Sequence, residues 1–220
     1  MQYLILFSNL SIQTGLVIFI SIGSLFHATS VVKWVQQKTQ KEVIIMDTKL
    51  KKIIMTALFA ALACVSTMAI RIPTPGTGGY IHPGDAIVIL SGVVLGPVWG
   101  LLAAGIGSAM ADLLGGYFIY VPITFVIKGL IALISGLIYQ KYGKTSKSRY
   151  TAVILGGITD IILVAGGYFL CECPLYGVAA AAASIPANII QGIGGLVIAC
   201  LLYPALIAIP DVRRIACEAK

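Results

Sequence analysis

Between Ile53 and Ile209 the sequence passes through a series of apolar runs broken only by short turn-rich or basic segments. A bilayer core of ~30 Å needs about 20 apolar residues in a helix, and runs of this kind cannot be solvated as the surface of a water-soluble domain. Composition agrees. The chain is 59% hydrophobic and 10% charged, with a mean hydropathy of +0.99, whereas a soluble domain carries about 25% charged residues. The chain therefore reads as an all-α integral membrane protein, and its 220 residues suit one domain.

Six spans can be traced: Ile53 to Ile70, a short one from Pro83 to Leu95 ending at the Gly96-Pro97 breaker, Val98 to Leu114, Ile119 to Tyr139, Ala152 to Leu170, and Val178 to Ile209. The last is long enough to tilt or kink, with Pro186 and Pro204 inside it. CECPLYG, between the last two spans, reads as a turn. If the first span starts in the cytoplasm, the inside segments hold Lys49, Lys51, Lys52, Lys141, Lys144, Lys147, Arg149, Arg213, Arg214 and Lys220, and the outside segments hold only Arg71. That asymmetry is the positive-inside pattern. It predicts a multi-pass protein of the cell membrane, with the start of the six-helix core and the C-terminus cytoplasmic. The hairpin RIPTPGTGGYIHPGDA (71–86), ADLLGGYFIYVP and CECPLYG then share the outer face.

The net charge of +7 raises nucleic acid as a partner. The basic residues, however, lie in short inter-helix segments with few aromatics beside them, so they read as membrane flanks and no nucleic-acid partner is expected. Five cysteines show no metal spacing beyond one Cys-x-Cys, and most lie in or beside apolar runs, where Cys acts as a small hydrophobe. Three segments are expected: residues 1–45 as an extension, either an extra N-terminal helix or an upstream stretch of reading frame; 46–212 as the membrane domain; and 213–220 as a cytoplasmic tail. The apolar N-terminal segment lacks the basic start and small-residue cleavage site of a signal peptide.

Ionisable and amide groups inside apolar runs are costly and mark sites or buried structural pairs. Lys128 and Asp160 fall near the middle of the fourth and fifth spans. Their similar depth allows an ion pair, and a ligand contact is equally open. Asp85 and Asp112 sit near the outer ends of the second and third spans; Asp85 also suits a helix N-terminus. Asn188 and Gln191, three apart, share a face of the sixth helix and offer donors and acceptors to a heteroaromatic ring or to a neighbouring helix. Tyr80, Tyr117, Tyr120, Tyr168 and Tyr176 map near the outer boundary, where an interfacial aromatic belt accounts for most of them and one or two are free to stack on a flat ligand. His82 and Asp85 stand three apart without a further metal ligand in view. No metal, cofactor or enzyme signature is found.

Several motifs together resemble the substrate-binding S components of energy-coupling factor (ECF) vitamin transporters. They are Ala57-x-x-x-Ala61, IRIPTPGTGGYIHPGDA, LGPVWG, GSAMADLLGGY, PITFVIKGL and PANIIQG, spread from Met46 to about Ile209. Within that superfamily the likeness is greatest to the group handling hydroxymethylpyrimidine, pyridoxine-like or riboflavin-like compounds. The resemblance implies a six-helix subunit, not an enzyme, that binds a vitamin or precursor on its outer side. It implies docking through Ala57 and Ala61 onto a transmembrane coupling subunit carried by two cytoplasmic ATPases. It also implies a gating loop containing Pro73, Pro75, Gly76, Gly78, Gly79 and Tyr80, and ligand contacts at His82, Asp85, Asp112, Tyr117, Lys128, Asn188 and Gln191. The alternative is a self-sufficient ion-coupled carrier for a small heterocyclic solute, with Lys128 and Asp160 as the relay.

Overall fold

A computed structural model describes residues 49–143 and 145–218, together with 33, 34, 37 and 38. The expectations for most of residues 1–45, and those for Met46, Lys144 and Lys220, lie outside the described residues. The chain divides into two units, Met1–Leu50 and Lys51–Lys220, and the second carries the features below.

Among the described residues from 49 onward, seven helices and one small hairpin follow in order: α1 (Lys49–Ala69), β1 (Ile72–Pro73), β2 (Tyr80–Ile81), α2 (Asp85–Leu95), α3 (Pro97–Gly115), α4 (Tyr120–Tyr142), α5 (Ser146–Tyr176), α6 (Val178–Ala208) and α7 (Pro210–Glu218). Five of them, α1 and α3 to α6, are long and apolar enough to cross a membrane. The protein is a multi-pass membrane helix bundle.

α2 is the short member. Its 11 residues extend about 16 Å at ~1.5 Å per residue, half the hydrocarbon depth. Every residue of it except Ile87 is buried, and it packs against α3, α4, α5, α6 and α7. It is thus the central helix of the bundle, and the hairpin occupies the depth above it. Close approach is possible because Gly92 has no side chain: a Cβ there would lie 2.0 Å from the Ala132 carbonyl oxygen of α4. α1 turns Phe59, Ala63 and Thr67, spaced four apart, inward. Gly107 of α3 lies against Ala60 of α1, where a Cβ would come within 2.3 Å of the Ala60 carbonyl oxygen.

One expectation from the sequence is corrected. CECPLYG is not a turn. α5 continues through it to Tyr176, with Pro174 inside the helix, and the reversal into α6 is made at Gly177 alone, at φ +85°. An apolar helix in lipid can carry such a proline because neighbouring groups satisfy the freed backbone. The expected tail from 213 is part of α7, whose Val212, Ile215 and Ala216 are buried. Their spacing of three and one places them on a single helical face.

Candidate functional site

The hairpin is a two-residue ladder, with Ile72 opposite Ile81 and Pro73 opposite Tyr80. A bond from the Thr74 amide to the Gly79 carbonyl (3.0 Å) and a Thr74–Thr77 hydroxyl contact (2.8 Å) tighten its tip. Beneath it lies a small pocket, partly open to solvent. The hairpin contributes Thr74, Gly79, Tyr80 and His82 to its wall, and α3 contributes Asp112. The longer helices add Tyr120 and Thr124 from α4, Tyr168 and Glu172 from α5, and Asn188 from α6.

Both carboxylates of the wall are held by hydroxyl donors. Tyr80 donates to Asp112 Oδ1 at 2.6 Å. Tyr120 donates to Glu172 Oε1 at 2.9 Å, and Ser184 to Glu172 Oε2 at 2.6 Å. Thr124 and Tyr168 share a hydroxyl–hydroxyl bond of 2.9 Å. Burial, reinforced by the bond to Asp112, pushes the Tyr80 hydroxyl well up from its ordinary value, so it remains a donor. At the rim the Arg71 guanidinium stands 5.2 Å from the centre of the Tyr80 ring and 5.8 Å from that of Tyr117, and the two rings are 4.5 Å apart.

His82 links wall and floor. Its Nδ1 accepts from the Gly84 amide at 3.1 Å, and its own amide donates to Gln191 Oε1 at 3.0 Å. Burial lowers its imidazole to about 4, which keeps the ring neutral and free to accept at Nδ1. Gln191 in turn donates through Nε2 to Asp85 Oδ2 at 2.8 Å. The other Asp85 oxygen forms an ion pair with Lys128, both side chains being fully buried. The chain from the hairpin to the centre of the bundle is therefore His82–Gln191–Asp85–Lys128.

These contacts sort the residues expected from the sequence. His82, Asp112 and Asn188 are on the cavity wall, with Gly79 and Tyr80 of the hairpin. Asp85, Lys128 and Gln191 form a layer below, while Tyr117 stacks behind Tyr80. Pro73, Pro75, Gly76 and Gly78 are exposed; a Cβ on Gly76 would lie 3.1 Å from the Ala180 carbonyl oxygen of α6, so the tip rests on that helix. Ala57 and Ala61 are exposed on α1.

The Lys128–Asp160 ion pair that similar depth allows does not form among the described residues. Lys128 binds Asp85, and neither oxygen of the buried Asp160 receives a hydrogen bond. The reason is that α2, threaded through the centre of the bundle, brings Asp85 to the lysine first. Nor do Tyr120 and Tyr168 belong to an interfacial belt: both are buried and face the cavity.

Thr74, Tyr120, Thr124, Tyr168 and Glu172 were not singled out from the sequence as ligand contacts. Spacing was the signal that could have found all of them but Thr74, which lies in the hairpin. Tyr120, Thr124 and Lys128 recur every four residues on α4, as do Asp160, Tyr168 and Glu172 at multiples of four on α5, and Ser184 and Asn188 on α6. Each set is a polar stripe on an otherwise apolar helix. Glu172 was hidden because its segment reads as a turn.

The family model of the S component of the ECF-type riboflavin transporter matches residues 47–208, from the start of α1 to the end of α6. The chain belongs to this family of ECF S components. An uncharacterized protein of the gap 3′ region of Pyrococcus woesei is 35% identical over 134 residues, covering 61% of this chain and 86% of the relative. The thiamine precursor transporter HmpT of Lactococcus lactis subsp. cremoris (strain MG1363) is 28% identical over 164 residues, covering 74% of this chain and 92% of HmpT. A solved structure of the S component of a bacterial ECF transporter superposes with a TM-score of 0.56 at 27% identity, covering 73% of this chain and 97% of the other. As an S component the protein is a transporter subunit of the membrane, not an enzyme, and its fold places the cavity between α3, α4, α5 and α6 under the hairpin.

Proposed function

We propose that this S component captures a vitamin or vitamin precursor at the outer face of the cell membrane. It then delivers the ligand inward when docked to a transmembrane coupling subunit carried by two cytoplasmic ATPases. The observation that carries this reading is the cavity itself: a polar chamber under a Pro- and Gly-rich hairpin, in an otherwise apolar bundle. The family's description as a riboflavin transporter component and the relative's as a thiamine precursor transporter support a vitamin-like ligand. The lysine and arginine bias supports an outward-facing hairpin. In this reading His82, Asp112 and Asn188 contact the ligand, Asp85, Lys128 and Gln191 fix the floor beneath it, and the hairpin gates entry. Ala57 and Ala61 dock the coupling subunit from the exposed side of α1.

The ion-coupled alternative invokes Lys128 and Asp160 as a relay, whereas Lys128 pairs directly with Asp85. The test is mass spectrometry of small molecules released from the purified protein. A vitamin-like heterocycle is expected, retained by the unaltered chain and lost when Thr74–Gly79 is shortened. Absence of any bound or bindable heterocycle contradicts the reading.

A further inference from the structure

The cavity wall is unbalanced in both charge and hydrogen-bonding capacity. It contains two carboxylates, Asp112 and Glu172, and no lysine or arginine. The cation nearest below, Lys128, is engaged with Asp85, and Arg71 stands outside the wall, over the rings of Tyr80 and Tyr117, with its Nε unbonded among the described residues. Glu172 is only 2% exposed, and among the described residues no basic side chain forms an ion pair with it. Its bonds come from two neutral hydroxyls, which leave part of its acceptor capacity unused.

The hydroxyls tip the balance the same way. Tyr80 and Tyr120 have each spent their single proton on a carboxylate, so only their oxygen lone pairs remain for a ligand. One proton of the Thr124–Tyr168 pair is likewise committed. What the wall offers is mostly acceptors. Buried acceptors left unmet are costly, and a second negative charge placed beside an ionised Glu172 at low dielectric is repelled.

We infer that the cavity takes a neutral or cationic heterocycle bearing N–H or O–H donors, that Glu172 is the specificity residue reading one of those donors, and that phosphorylated or carboxylated forms of the same compound are excluded. The inference rests on the vitamin-binding reading and narrows it. Glu172 touches the cavity from α5, on the same face as Tyr168, while Asp112 faces it from α3.

The experiment is calorimetric titration of the full-length protein in detergent with matched pairs of probes: a hydroxymethyl-substituted aminopyrimidine and its phosphate ester, pyridoxamine and its phosphate, riboflavin and flavin mononucleotide. At least one parent compound should bind, and its ester should bind about 100-fold more weakly or not at all. Glu172→Gln, with folding checked by its melting temperature, should weaken the parent about 10- to 100-fold, the scale of a hydrogen bond to a charged group. The ester comparison needs no variant and stands even if Glu172→Gln fails to fold. An ester that binds as tightly as its parent, or a folded Glu172→Gln protein with unchanged affinity, overturns the inference and leaves the vitamin-binding reading intact. Failure of every probe, in a protein that also releases no small molecule on denaturation, overturns both.

Discussion

The residue with most at stake in this bundle is Lys128. A buried ion pair is weak evidence for net stability, because desolvation offsets attraction, but removing one partner leaves an uncompensated charge in a low-dielectric core. Lys128→Met should therefore destabilise the protein by about 3–5 kcal/mol, read as a fall in melting temperature in detergent. The double change Lys128→Met with Asp85→Asn should recover most of that loss. If the single and double variants melt together, Asp85 is not left charged when the lysine is removed. His82 makes a second prediction at this scale. Its imidazole is lowered from 6.5 to about 4, so the folded state binds fewer protons than the unfolded state across that window. Its contribution is fully present above pH 6.5 and is lost as the pH falls toward about 4. Protonation at Nδ1 would also break the bond from Gly84. Ligand retention should weaken with acid through this window, and His82→Gln should flatten that part of the profile; an unchanged profile contradicts the neutral, accepting ring.

Among the elements, α1 and α2 do opposite things. α2 is enclosed by the bundle, and its contact with α4 runs through Gly92. Gly92→Ala would drive a methyl into the Ala132 carbonyl, so poor accumulation or a markedly lowered melting temperature is expected, against a mild effect for Ala at the half-buried Gly194 of the same membrane domain, where a Cβ meets nothing. α1 instead shows Ala57 and Ala61 away from its buried Phe59–Ala63–Thr67 face. Ala57→Trp or Ala61→Trp should abolish co-purification with a coupling subunit while leaving ligand binding intact; unaffected pull-down by both would move the docking face elsewhere. The sequence made the long helices legible because lipid demands length and apolarity, and the bounds of α3 and α4 lie close to those traced from composition. It hid the end of α5, because Cys, Glu and Pro in succession look like a turn in water and are tolerated in a packed membrane helix. It also hid Glu172 as a cavity residue, along with Tyr120 and Tyr168. Single polar residues near a boundary read as belt, and only their four-residue spacing betrays a common face. Asp112 and Asn188 stood out because charges and amides in apolar surroundings need a partner, and His82 because it closes the hairpin motif that carries the family resemblance. The pairing of Lys128 was not, since depth along two helices says nothing about which third helix lies between.

For the molecule as a whole, the described chain joins three things: a hairpin, a polar pocket under it, and a salt-bridged centre tied to the hairpin through His82 and Gln191. Such an arrangement can hold a ligand and release it when the hairpin moves. Lys128 is paired with Asp85 at the centre of the bundle, and the sequence carries no ATP-binding motif. The central claim is therefore that capture and transport are separable, with the energy supplied by partners. The most direct measurement is uptake of the ligand identified by mass spectrometry into liposomes containing this protein alone, under a proton or sodium gradient, beside liposomes that also contain a coupling subunit and ATPases with ATP. The account predicts binding without accumulation in the first and accumulation in the second. Gradient-driven accumulation by the protein alone would contradict it.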